Sequence, residues 1–342
     1  MKKAKSYGMT ETSNSYLNLK SLLDDRIVIL DGATGTMIQS LNFGEKDFRG
    51  KILNEHSSDL KGNNDILNLT QPDAIRDIHK AYLLSGADII ETNTFNATSI
   101  SQSDYQTEHL VYDINFQGAK LASQVIDEVK KQEPDRQMFV AGVLGPTNRT
   151  ASISPDVNDP GFRNIQFEEL VTAYSEAAGA LMDAGIDLFM IETVFDTLNA
   201  KAAIFSLKDV MFKRGQRIPL MISGTITDAS GRTLSGQTPE AFWYSIEHAQ
   251  PLIVGLNCAL GVADLREHIQ VLSRIADTYV SIHPNAGLPN EFGEYEDLPD
   301  YMADLLAELA NSGLVNMIGG CCGMGLDHIR ALNGQLPRKA GD

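Results

Sequence analysis

Cys258, Cys321 and Cys322 are the only cysteines in the 342 residues, and each falls just past a short apolar run. An odd, small number speaks against a disulfide scaffold and for thiols kept reduced. A single cysteine is most often a small buried hydrophobe, but three placed alike act better as a group. Neighbouring cysteines form a strained ring if they bridge each other, whereas a bend at Gly319-Gly320-Cys321-Cys322-Gly323 can aim both sulfurs at one ion. Thiolates select soft or borderline metals, and without the spacing of an iron–sulfur ligand set zinc is the expected one. Three protein ligands leave tetrahedral zinc one vacancy, the mark of a catalytic site. The rival is a closed structural site with His283 in the fourth position. The other histidines, including His79, His248, His268 and His328, fall in helical stretches and are expected at the solvated surface.

Charge decides what an open site of this kind can do. Three thiolates on a divalent ion leave a net charge of −1, and a fourth makes −2, so the ion is a poor Lewis acid and scarcely activates water. It can still bind a substrate thiol, lower its pKa and keep the sulfur electron-rich. Alkylation of a substrate thiol is the expected reaction.

These residues need a frame that brings their loops together. Eight short apolar runs begin near Ile27, Ala87, Met138, Asp187, Pro219, Leu252, Tyr279 and Val315, and longer stretches of helical period lie between them. Gln71-Pro72 and Thr238-Pro239 place proline at a first helical position, Gly86 stops one helix, and 167–185, 197–215, 262–277 and 298–313 also read as helices. Strands that are apolar throughout imply a sheet covered on both faces. Eight βα units close into a (β/α)8 barrel, with a doubly wound open sheet as the runner-up. Residues 22–336 read as one barrel domain, 1–21 as an N-terminal extension set apart from the fold, and 337–342 as a polar tail. All post-strand loops of a barrel share one face, which gathers Asp31, Glu91, Asn93, Thr94, Asn148, Glu192, Asp196, Thr225, Asp228, Asn257, His283 and Asn285 with the cysteines.

With 28 Lys and Arg against 45 Asp and Glu, a net charge of −17 makes a nucleic-acid reader untenable. Hydrophobic residues at 43% exclude whole-chain disorder. Apolar stretches are far short of the roughly 20 residues that cross a bilayer. Polar residues follow Lys2, Lys3 and Lys5 where a secretory signal would be apolar, so a cytoplasmic location is expected.

The segments DGATGT from Asp31, KGNNDIL around Asp65, ETNTF from Glu91, GPTNRTASISPDVNDPGFRN, IETVFDTLNAKAA, SGTITDASGRTLSGQT, GLNCALG, HPNAGLPN and GGCCG together carry a resemblance. Over about residues 22–330 the chain resembles the homocysteine-binding modules at the amino end of vitamin B12-dependent methionine synthases, within the homocysteine S-methyltransferase family. The resemblance implies a (β/α)8 barrel with zinc on Cys258, Cys321 and Cys322 and the sulfur of L-homocysteine as fourth ligand. It implies Asp31 and Glu192 as holders of the amino acid, and backbone amides beside Gly32 and Ala33 as receivers of its carboxylate. Thr94 and Asn257 are further substrate candidates by loop position. The implied reaction forms L-methionine, the thiolate taking the methyl group of methylcobalamin presented by a separate cobalamin-binding module or protein; a folate-binding module is a further implied partner. The chain departs from the family pattern at Met324-Gly325-Leu326. The alternatives are a standalone methyltransferase using betaine or S-methylmethionine, a barrel lyase or aldolase with Glu91 or Glu192 as base, and a non-catalytic binding module.

Overall fold

The computed structural model describes residues 13–227 and 230–336, so Asp228 lies outside the described residues. Its eight strands are β1 (Val28–Ile29), β2 (Ile89–Glu91), β3 (Phe139–Leu144), β4 (Leu188–Val194), β5 (Leu220–Gly224), β6 (Ile253–Asn257), β7 (Tyr279–His283) and β8 (Met317–Ile318). All ladders are parallel, in the order β1-β8-β7-β6-β5-β4-β3-β2. β1 and β2 meet through one bridge, Leu30 to Ile89, flanked by Asp88 N to Ile29 O at 2.7 Å and Asp31 N to Ile89 O at 3.0 Å. The barrel is thus nearly closed, and the open-sheet alternative falls away. No described helix is long and apolar enough to cross a membrane.

Side chains alternate between the interior and the helix-facing side of each strand. Val28 and Leu30, Phe139, Ala141 and Val143, and Leu188 and Met190 pack in the interior cluster, while Ile29, Val140, Phe189 and Ile191 join the larger cluster beneath the helices. Followed upward, the inward series run Ile89 to Glu91, Met190 to Glu192, Gly255 to Asn257 and Ser281 to His283. The barrel interior therefore changes from apolar to polar at the carboxyl ends of its strands, where such barrels carry their sites.

The helices follow their sequence punctuation. Pro72–Ser85 ends at Gly86 with φ of 116°, and Phe167–Ala184 and Thr197–Arg214 end at left-handed Gly185 and Gly215. Asp196 caps the last of these through the Leu198 amide at 2.9 Å and also accepts from Ser152 Oγ at 2.6 Å, so this loop carboxylate is scaffold. The helix Asn14–Asp25 buries Leu19, Leu22 and Leu23 in the interior cluster. Residues 14–21, set apart with the extension on sequence grounds, are therefore packed against the barrel.

Candidate active site

The cysteine sulfurs are brought together by two tight turns. Past β6, Cys258 and Ala259 both adopt left-handed backbone, φ 61° and 59°, a conformation that costs about 1–2 kcal/mol per non-glycine residue. It is held by Cys258 N to His283 O at 3.2 Å and Leu260 N to Cys258 O at 2.7 Å. Past β8, Cys321 N donates to Pro284 O at 2.8 Å and Gly320 N to Asp31 O at 3.0 Å, tying the loop to both neighbouring strand ends. The Cys258 and Cys322 sulfurs are 4.0 Å apart, and all three thiols lie within 4.8 Å of one another. Hydrogen bonds from Cys258 and Cys321, joined by Tyr295, pull the Cys322 thiol down to about 3, while bonding to Cys258 and Cys322 and burial push Cys321 up. This is a donor set able to hold a soft metal ion. His283 turns away from it: its Nε2 lies 3.8 Å from Glu192 Oε2, and it groups with Glu91 and Glu192.

The departure at Met324-Gly325-Leu326 is absorbed locally. Met324 is fully buried, and a Cβ on Gly320 would collide with its side chain. Its carbonyl oxygen takes the Ala33 amide at 3.0 Å and lies where a Cβ on Gly32 would have to be. The Ala33 amide is thus engaged within the protein, although Gly32 and Ala33 both line the cavity.

That cavity, about 430 Å³, runs from the three cysteines to Glu91, Glu192 and Asp65, with Phe95 and Val143 as an apolar wall. No Lys or Arg is among its described lining residues. Glu192 sits in a bulge of β4, where the register to β5 slips between Ile191 and Val194 and Thr193 has φ of 55°. Asn257, fully buried, fixes the bulge: its Nδ2 donates to Glu192 Oε2 at 3.2 Å and Thr193 Oγ1 at 2.8 Å, and its Oδ1 accepts the Thr193 amide at 3.0 Å. Asp31 Oδ2 accepts the Glu91 amide at 3.0 Å and its Oδ1 has no partner. Burial, and then the charge on Glu192, pushes Asp31 well above the usual carboxylate range. Glu91 is raised by burial and by the charges on Glu192 and Asp31.

Not every residue expected at the site faces it. The Thr94 hydroxyl donates to Val143 O at 2.8 Å and pairs with Thr92 Oγ1 at 2.6 Å, behind the cavity wall. Asn257 acts on Glu192 with all its polar atoms in use. His79, expected in solvent, is fully buried with neither ring nitrogen bonded, because the helix face that carries it packs on the sheet. Sequence reasoning missed Tyr295, which lies in an acidic loop without a motif, and gave no role to Asp65, which accepts the Asn96 amide at 2.9 Å and is pushed by burial up to about 7.

A profile of the family described as homocysteine S-methyltransferase matches residues 28–336. The structure is similar to the homocysteine methyltransferase MmuM from Escherichia coli. The oxidized form has a TM-score of 0.73 at 20% identity, covering 94% of this chain and 99% of that one. The metallated form gives 0.72 at 22% identity, with 92% and 99% covered. At that identity the likeness is one of fold.

Proposed function

The chain belongs to the homocysteine S-methyltransferase family, and we propose that it uses zinc on Cys258, Cys321 and Cys322 to activate L-homocysteine for methylation to L-methionine. The observation that carries this reading is the meeting of three thiols from two strand ends at one end of a cavity whose other end is carboxylate. Two thiolates on tetrahedral zinc, each at about 2.3 Å, stand about 3.8 Å apart. The Cys258 and Cys322 sulfurs at 4.0 Å fit that donor set. Bound there, the ion would supply a lowered thiol pKa, so that the substrate proton leaves near neutral pH and no general base is required.

The protein's own residues bind and orient. Glu192, fixed by Asn257, and Asp31, with its unbonded Oδ1, accept from the substrate ammonium. Gly32 leaves room for the Met324 carbonyl to close on the β1 loop, and the cavity wall that Gly32 and Ala33 form there faces the amino-acid carboxylate. Phe95 and Val143 cover the methylene chain and keep water from the sulfur.

The methyl donor in this reading is methylcobalamin, presented at the open face by a separate cobalamin-binding module or protein in the cytoplasm. The segment GPTNRTASISPDVNDP supports that donor over betaine and S-methylmethionine through its resemblance to the B12-dependent modules. Zinc-loaded chain incubated with L-homocysteine and each donor in turn tests the assignment. Methionine formed with methylcobalamin alone is the expected result; formation with betaine or S-methylmethionine reassigns the donor, and none with any donor removes the methyltransferase reading.

A further inference from the structure

Glu91, Glu192 and His283 form a second polar group beside the cysteines, with ligand atoms all within 4.8 Å of one another. They close the inward series of β2, β4 and β7, so the alternation of the strands aims them at the same point. Asp31 adds a fully buried carboxylate whose Oδ2 is held by the Glu91 amide. Two of these carboxylates, Glu91 and Glu192, line a cavity with no Lys or Arg among its described lining residues, and the third, Asp31, is fully buried next to them. Uncompensated buried charge is costly, so the cluster needs a cationic partner or protons. Two buried groups are also unsatisfied there: Asp31 Oδ1 and both ring nitrogens of His283, which is 1% exposed.

A primary ammonium carries three N–H donors and no acceptor. We propose that Glu91 is a third substrate-binding carboxylate, joining Asp31 and Glu192 to accept all three N–H bonds of the homocysteine ammonium, with His283 as a positioning residue behind Glu192. This rests on the function proposed above and extends it to specificity: the site demands an α-amino acid as well as a thiol. A thiol lacking the amino group leaves the carboxylates unpaired, and sites built to hydrogen-bond a substrate group strongly reject analogues without it.

The test compares L-homocysteine with 4-sulfanylbutanoate, which keeps thiol and carboxylate and lacks the amine, binding to the zinc-loaded chain by calorimetry. Wild type should prefer homocysteine. E91Q, nearly isosteric, should keep its zinc, weaken homocysteine tenfold or more and leave 4-sulfanylbutanoate unchanged or tighter, so the preference collapses. H283A should narrow the preference in the same way and H283Q restore it. Equal weakening of both ligands in E91Q, or of neither, overturns the proposal. So does a second equivalent of Mn²⁺ bound by the zinc-saturated chain and lost in E91Q, which would make the cluster a metal site. If wild type binds neither ligand, the homocysteine reading itself fails, an outcome separate from homocysteine binding that ignores Glu91.

Discussion

Asn257 and Glu192 are held together at 3.2 Å, and the same amide closes on the Thr193 backbone at 3.0 Å, so one side chain of β6 sets the direction of a carboxylate on β4. The bulge at Thr193 is strained, and Asn257 is what stabilises it. Glu192 lines the cavity and Asn257 does not, so the residue that orients this proposed ammonium-binding carboxylate is itself outside the cavity lining.

Replacing Asn257 by Ala removes that hold. A hydrogen bond to a charged group contributes about 1.5–3 kcal/mol, so homocysteine affinity should fall roughly 10- to 100-fold. Zinc content should be unchanged, since the Cys258 turn is tied to His283 by backbone. Calorimetry with parallel metal analysis checks both; unchanged affinity would detach Asn257 from the site.

Replacement of any one of Cys258, Cys321 and Cys322 by Ala should abolish stoichiometric zinc and methyl transfer while far-UV circular dichroism stays that of the wild type. The barrel core is complete without the metal, so loss of zinc should not unfold it. Retention of both zinc and activity in one variant would refute the ligand set.

Homocysteine binding to the zinc-loaded chain should release close to one proton near neutral pH, because a thiol enters the site and a thiolate remains. Calorimetry in buffers of different ionisation enthalpy measures the number. X-ray absorption should show one added sulfur, and unaltered coordination would indicate a closed site.

Gly32→Ala places a methyl group on the Met324 carbonyl oxygen, backbone against backbone. The loops of β1 and β8 must then part, which should lower homocysteine affinity at least tenfold and reduce the melting temperature. Wild-type values for both would show that the junction yields freely.

His79 gives a pH signature of stability. Burial pushes its imidazole down from 6.5 to about 4, so the folded state binds the proton less well than the unfolded chain. Its stabilising contribution is complete above pH 6.5 and is lost as pH falls toward 4. Between pH 7.5 and 5 this amounts to on the order of 2 kcal/mol. Urea unfolding of His79→Leu should lack that part of the acid loss; an identical pH dependence would place the effect elsewhere.

The sequence by itself determined the repeat of eight strands, because apolar runs, helix-starting prolines and terminal glycines such as Gly86, Gly185 and Gly215 act locally. It also marked Cys258, Cys321 and Cys322, since three like residues past strands are visible without coordinates. Tertiary structure alone decided the rest. The burial of His79 depends on what its helix packs against, and the loss of the Ala33 amide to Met324 depends on a crossing of loops nearly 300 residues apart. The grouping of Glu91, Glu192 and His283 depends on closure and register, which turn separate alternating strands into one inward-facing layer. Local pattern fixes an element because its cause lies within a few residues; the direction and company of a side chain are set by contacts among distant ones.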